Sequence, residues 1–219
     1  MMKLCIFDLD GVICDTAKYH FLAWKSLADE LGIRFTEQDN ERLKGVSRME
    51  SLEILLSLGD RSYPPAEKEA FAAEKNKRYI AYIDRMTKEE ILPGVREFLL
   101  GCRAAGCRTA LGSVSKNSAR ILEKLEIGPL FDFVVDGTCV THAKPDPEVF
   151  VKSMEHFGCL PGECIVFEDA VSGIEAAHRA GMHAVGIGTR ENLPEADLIL
   201  PGFAGKSFEE IAACFEKQK

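Results

Sequence analysis

The chain has 219 residues, 46% hydrophobic and 28% charged, and its 35 acidic and 27 basic side chains give a formal net charge of −8. That is the makeup of a globular protein long enough to bury a substantial core, and it excludes disordered, collagenous and coiled-coil chains. The acidity argues against a nucleic-acid partner, which needs a basic footprint, and no apolar run approaches the roughly 18 residues of a membrane span.

Leu4-Cys5-Ile6-Phe7 is apolar at every position, the pattern of a strand buried on both faces of a parallel sheet. It meets Asp8 too early for a secretion signal, so a cytoplasmic protein without a membrane partner is expected. Asp8-Leu9-Asp10-Gly11-Val12 follows at once. Residues 16–31, 37–43, 49–58 and 66–83 then read as helices with no strand among them. Beyond them the rhythm changes. Helices are predicted over 95–105, 118–125, 147–157 and 172–180, alternating with short apolar strands at 108–111, 133–135, 164–167, 184–187 and 198–200. Gly106 and Gly181 follow two of these helices as C′ residues, Asp146-Pro147 reads as N-cap and N1, and Ser172 with Glu175 has capping-box spacing.

This order predicts an α/β fold, a doubly wound, Rossmann-like parallel sheet whose sites lie at the carboxyl ends of its strands. The expected domains are a catalytic core of residues 1–15 and 91–219 and an inserted α-helical cap of residues 16–90. Cys14-Asp15-Thr16 and Ile91-Leu92-Pro93-Gly94 form the hinge between them. The eight cysteines contain no Cys-x-x-Cys pair, so they are expected to be reduced thiols in the core or near the surface rather than a zinc site.

Asp8 and Asp10, two apart on extended backbone, face the same side. Two carboxylates so close can divide their duties, one staying ionised while the other is pushed toward the neutral acid. Asp-Gly is also a common turn dipeptide, but here it follows a buried strand. Ser113-Val114-Ser115, ending another strand, offers hydroxyls and backbone N–H groups suited to a phosphate; an ordinary helix cap would look similar. Lys144 precedes a rigid turn, where a solvated loop lysine is the plainer reading. Glu168-Asp169 could hold a hard cation together with Asp8. In the helical segment, Thr16, His20 and Trp24 share one stripe, and Ser47-Arg48 breaks a helix to present a guanidinium suited to phosphate. Glu74-Lys75-Asn76-Lys77 reads as a solvated helix face.

Asp-x-Asp, Ser, Lys and Glu-Asp at successive strand ends resemble the haloacid dehalogenase superfamily across the whole sheet domain. The resemblance implies that Asp8 is a nucleophile forming an aspartyl phosphate and Asp10 the general acid/base. Ser113 and Lys144 would hold the transferring phosphoryl group, while Asp8, the Asp10 carbonyl, Glu168 and Asp169 would serve Mg²⁺. The stretch from Asp8 to Trp24, Leu43-Lys44-Gly45-Val46-Ser47-Arg48 and Ser113-Val114-Ser115-Lys116-Asn117 resemble the β-phosphoglucomutase family more closely, essentially end to end. That likeness implies sugar-phosphate binding by Lys44, Gly45, Val46, Ser47 and Arg48, with Asp10, Trp24 and Ser51. Ser115, Lys116 and Asn117 would form a second binding loop, and Thr16, His20 and Lys75 would align the acid/base when the cap closes. Cys14, Gly112 and Ala143 depart from the family's more usual Thr, Ala and Ser.

The implied reaction interconverts β-D-glucose 1-phosphate and glucose 6-phosphate through β-glucose 1,6-bisphosphate, carried out by a monomer. A sugar-phosphate phosphatase and a catalytically idle binder of phosphometabolites remain as alternatives.

Overall fold

Strand β1 (Leu4–Phe7) lies at the centre of a six-stranded, wholly parallel sheet in the order β3-β2-β1-β4-β5-β6. The computed structural model describes residues 1–43 and 46–216, so Lys44 and Gly45 lie outside the described residues. The other strands are β2 (Arg108–Gly112), β3 (Phe133–Val135), β4 (Cys164–Glu168), β5 (His183–Ile187) and β6 (Leu198–Leu200). Every residue of β1 is buried, because alternate side chains enter the packing on opposite sides of the sheet. Cys5 and Phe7 belong to one apolar cluster, Leu4 and Ile6 to another. Phe7 stacks on Phe167 of β4 with ring centroids 4.7 Å apart.

The strand order reverses at β1, which pairs with β2 on one side and β4 on the other. A crevice at such a switch point, outside the carboxyl ends of the strands, is where an open α/β sheet places its ligand.

Between β1 and β2 come α1 (Ala17–Leu31), α2 (Glu37–Glu41), α3 (Arg48–Leu56) and α4 (Pro65–Ile83). They carry a cluster of their own that includes Trp24, Leu27, Phe35, Leu52 and Leu55. The two connecting segments meet where Cys14 bridges Ile91 and the Leu92 N–H donates to the Ile13 carbonyl at 2.9 Å. Beside them Glu90 accepts from the Tyr19 hydroxyl at 2.6 Å and pairs with Lys18 at 2.8 Å. The remaining helices are α5 (Val95–Ala104), α6 (Ser118–Lys124), α7 (Glu148–Phe157), α8 (Val171–Arg179) and α9 (Phe208–Glu216). No helix among the described residues is long and apolar enough to cross a membrane.

Three local expectations are corrected. The Ser172–Glu175 capping box does not form: α8 starts at Val171 after Ala170, and the Ser172 hydroxyl is buried without a partner. Helix α7 starts one residue late, with Pro147 in the cap position and Asp146 accepting from the Glu148 N–H at 3.0 Å. Strands β3 and β6 are apolar yet only partly buried, because they form the sheet's two edges. The cysteines are all free thiols, five buried and the other three partly or fully exposed.

Candidate active site

At the switch point, Asp8 follows β1 and Glu168 ends β4. Lys144, from the loop before α7, lies between them, with Nζ 2.5 Å from Asp8 Oδ1, 2.5 Å from Glu168 Oε1 and 3.1 Å from the Gly112 carbonyl. Burial works against the Lys144 charge, but the two carboxylates outweigh it and hold the ammonium above its ordinary value. Burial likewise pushes Glu168 up to about 8, against the pull of Lys144. The second oxygens are anchored by backbone: the Asp10 N–H donates to Asp8 Oδ2 at 3.0 Å and the Ala170 N–H to Glu168 Oε2 at 3.0 Å.

Two glycines let acids and backbone approach so closely. Gly11 has a φ of +79°, and a Cβ there would stand 2.2 Å from Asp169 Oδ2. A Cβ on Gly173 would stand 2.0 Å from Glu168 Oε1.

Asp10 shares this face. Burial first, and then the neighbouring Asp8 charge, push its carboxyl up to about 7, and its Oδ1 is buried without a partner. Oxygen atoms of Asp8, Glu168 and Asp169 lie within 4.8 Å of one another. An all-oxygen set of carboxylates fits a hard divalent cation that keeps part of its water shell.

Past β2, the Ser113 hydroxyl accepts from the Ser115 N–H at 3.1 Å, and the Ser115 hydroxyl accepts from the Asn117 N–H at 3.3 Å. These bonds hold a tight loop at the start of α6. From the helical segment, Arg48 opens α3 behind Ser47, whose hydroxyl accepts from the Glu50 N–H while the Glu50 carboxylate reaches back to the Ser47 N–H. That capping box fixes the turn carrying the guanidinium.

Lys75 is 2% exposed, so its stretch of α4 is not a wholly solvated face. Its Nζ lies 2.9 Å from His20 Nδ1 and 4.5 Å from the centre of the Trp24 ring. Burial, then the Arg48 charge, bring Lys75 down to about 7. Burial and the charges of Lys75 and Arg48 hold His20 well below its usual range.

One cavity of about 550 Å³ joins these groups. Asp8, Asp10, Ser113, Glu168 and Asp169 line one part, and His20, Trp24, Val46, Ser47, Arg48, Ser51 and Lys75 another, with Ser115, Lys116 and Asn117 alongside. Lys144 reaches it through its contact with Asp8, while Thr16 stands fully buried behind it at the start of α1. The lining residues that were not singled out as binding or catalytic from the sequence include Asn40, Asn76 and Tyr79. Asn76 accepts from the Asn117 amide at 3.0 Å, which ties α4 to the phosphate-type loop. Tyr79 lies four residues after Lys75 on α4, a spacing that could have found it.

The chain matches the haloacid dehalogenase-like hydrolase family over residues 2–181. It is 43% identical over 201 residues to the β-phosphoglucomutase of Bacillus subtilis, covering 91% of this chain and 89% of that protein. A phosphorylated carbohydrates phosphatase of Thermotoga maritima is 32% identical over 186 residues, 84% of each chain. The crystal structure of a β-phosphoglucomutase from Clostridium difficile superimposes with a TM-score of 0.95 at 41% identity, covering 99% of this chain and 98% of the other.

Proposed function

The chain belongs to the haloacid dehalogenase-like hydrolase family, and from its likeness to β-phosphoglucomutases within that family we propose that it is an isomerase interconverting β-D-glucose 1-phosphate and glucose 6-phosphate through the 1,6-bisphosphate. The observation that carries this reading is the pairing of two anion-binding ends in one cavity. One end has Ser113 and Asp8 with its partner Lys144; the other has Arg48, Ser115, Lys116 and Asn117. Hydrolysis of a monophosphate needs only the first. A sugar carrying two phosphoryl groups, able to bind in either orientation, uses both.

In this reading Asp8 accepts and returns the phosphoryl group. Lys144 offsets its charge and Ser113 donates to a phosphoryl oxygen, so the transfer is mostly a matter of positioning and charge neutralisation. Asp10 takes the proton of the attacking sugar hydroxyl and returns it in the reverse step. A carboxyl near 7 suits both directions. Mg²⁺, held by Asp8, Glu168, Asp169 and the Asp10 carbonyl, would neutralise phosphoryl charge. Thr16, His20 and Lys75 align Asp10, while Trp24, Val46, Ser47 and Ser51 surround the sugar. The helical segment of residues 16–90 acts as a cap, and its role is to keep water from the aspartyl phosphate.

The enzyme is read as a monomer, and eight free thiols fit a reducing cytoplasm. Sugar phosphates, not nucleic acid or membrane, are the partners.

The test is one coupled assay of β-glucose 1-phosphate with Mg²⁺ and a bisphosphate primer, reading glucose 6-phosphate and free phosphate in parallel. Stoichiometric glucose 6-phosphate is expected. Free phosphate as the main product would replace this reading with a sugar-phosphate phosphatase, the activity in the name of the Thermotoga relative.

A further inference from the structure

Tyr79 is a buried polar side chain in this cavity to which the reaction as described gives no task. It has no exposed surface and packs with Ile13 and Cys14 in the sheet-side cluster, not in the cluster of its own helical segment. Its ring lies against the His20 imidazole, with centroids 4.1 Å apart, and the Lys75 ammonium stands 4.9 Å from the same ring. Its hydroxyl is a neighbour of Thr16 without completing a hydrogen bond to it.

Three buried oxygens thus stand without partners in one region: Asp10 Oδ1, Thr16 Oγ1 and the Tyr79 hydroxyl. Each such atom costs stability while it is buried and unpaired. A phenylalanine would fill the same space without that cost. Yet the set is chemically complementary, since a carboxylate only accepts and each hydroxyl can donate. Reorientation of Asp10 on substrate engagement would let the three satisfy one another.

We propose that Tyr79 is a positioning residue for proton transfer at Asp10: its ring fixes the Lys75–His20 pair, and its hydroxyl completes with Thr16 a pair of donors for the Asp10 carboxylate. This rests on the assignment of Asp10 as acid/base. The ring task and the hydroxyl task separate cleanly by substitution.

The experiment compares the full-length wild type with Tyr79→Phe and Tyr79→Leu, measuring kcat, KM for β-glucose 1-phosphate and the thermal midpoint. Tyr79→Phe keeps the ring and is expected to lower kcat at least tenfold, leave KM within twofold and melt no lower than the wild type. Tyr79→Leu is expected to lose at least a further fivefold in kcat. A kcat for Tyr79→Phe within twofold of wild type would overturn the proposal, whether or not Tyr79→Leu folds. A rise in KM with kcat unchanged would do the same, assigning Tyr79 to substrate binding. If the wild type released only free phosphate, the mutase reading would fail by itself. The same kcat comparison would then be made on phosphate release, which also needs Asp10.

Discussion

Lys75 Nζ lies 2.9 Å from His20 Nδ1, so two basic side chains buried together share one proton between them. While Lys75 carries its proton it donates and His20 accepts, which places the imidazole hydrogen on Nε2. The arrangement costs stability. With its value lowered from 10.5 to about 7, Lys75 binds fewer protons in the folded than in the unfolded chain across that interval. Stability from this group therefore climbs as pH rises from about 7 toward 10.5, and the cost is complete below about 7.

Lys75→Met, similar in shape and uncharged, is expected to stabilise the protein at pH 7 by ~2–4 kcal/mol and to lose most of its activity. The gain should shrink toward pH 10. Thermal midpoints across this range check it, and a Lys75→Met protein melting below wild type at pH 7 would refute the argument.

Lys144 poses the opposite case. It is the cation between Asp8 and Glu168, and removing it leaves two buried carboxylates facing each other. Breaking a buried pair in this way costs ~3–5 kcal/mol. Lys144→Ala is expected to melt well below wild type without metal and to be inactive. Mg²⁺ bound by the same carboxylates should restore part of the loss, so the rise in thermal midpoint on adding Mg²⁺ should be larger in the variant. An equal rise in both proteins would separate the metal from this carboxylate pair.

The strand ends were legible in the sequence because two signals coincide there. A run buried on both faces stops abruptly in acid or hydroxyl, and the switch-point geometry brings Asp8, Ser113 and Glu168 to one crevice. What was not legible depended on contacts across the chain. By its neighbours Glu74, Asn76 and Lys77 alone Lys75 reads as wet, and only the family resemblance singled it out, because nothing local says that Trp24, His20 and Tyr79 receive its ammonium. Ser172 has a capping spacing, but the helix starts earlier, with Gly173 lying against the Glu168 carboxylate. Tertiary contact with the site prevailed over a local cap.

Gly11 tests the acid cluster from the backbone side. Its left-handed conformation disfavours any L side chain, and a Cβ would drive into the Asp169 carboxylate. Gly11→Ala is expected to weaken Mg²⁺ activation about tenfold or more, read as the midpoint of a metal titration of activity. Gly32 has a similar φ of +73° with nothing near its Cβ direction, so Gly32→Ala carries the strain without the clash. It should lower stability alone. Matching Mg²⁺ midpoints in the two variants would remove Asp169 from the explanation.

If the helical segment closes as proposed, Asp84 offers a measurable handle on that closure. This residue caps α4 and takes Arg120 of α6 in a two-pronged contact, Nε to Oδ1 at 2.6 Å and Nη2 to Oδ2 at 3.0 Å. Two turns earlier, Asn76 holds Asn117. Both charged side chains are partly exposed, so the pair contributes no more than about 1 kcal/mol and is screened by salt. That modest value suits a closure that must reopen on every turnover. Asp84→Asn is therefore expected to shift the ratio of free phosphate to glucose 6-phosphate upward about two- to fivefold, as water reaches the aspartyl phosphate more often. Raising the ionic strength from about 0.02 to about 0.5 M should move the wild-type ratio in the same direction. The variant, already without its charge pair, should respond less. An identical salt response in both proteins would show that this ion pair does not govern closure, and would leave the Asn76–Asn117 contact as the next position to change.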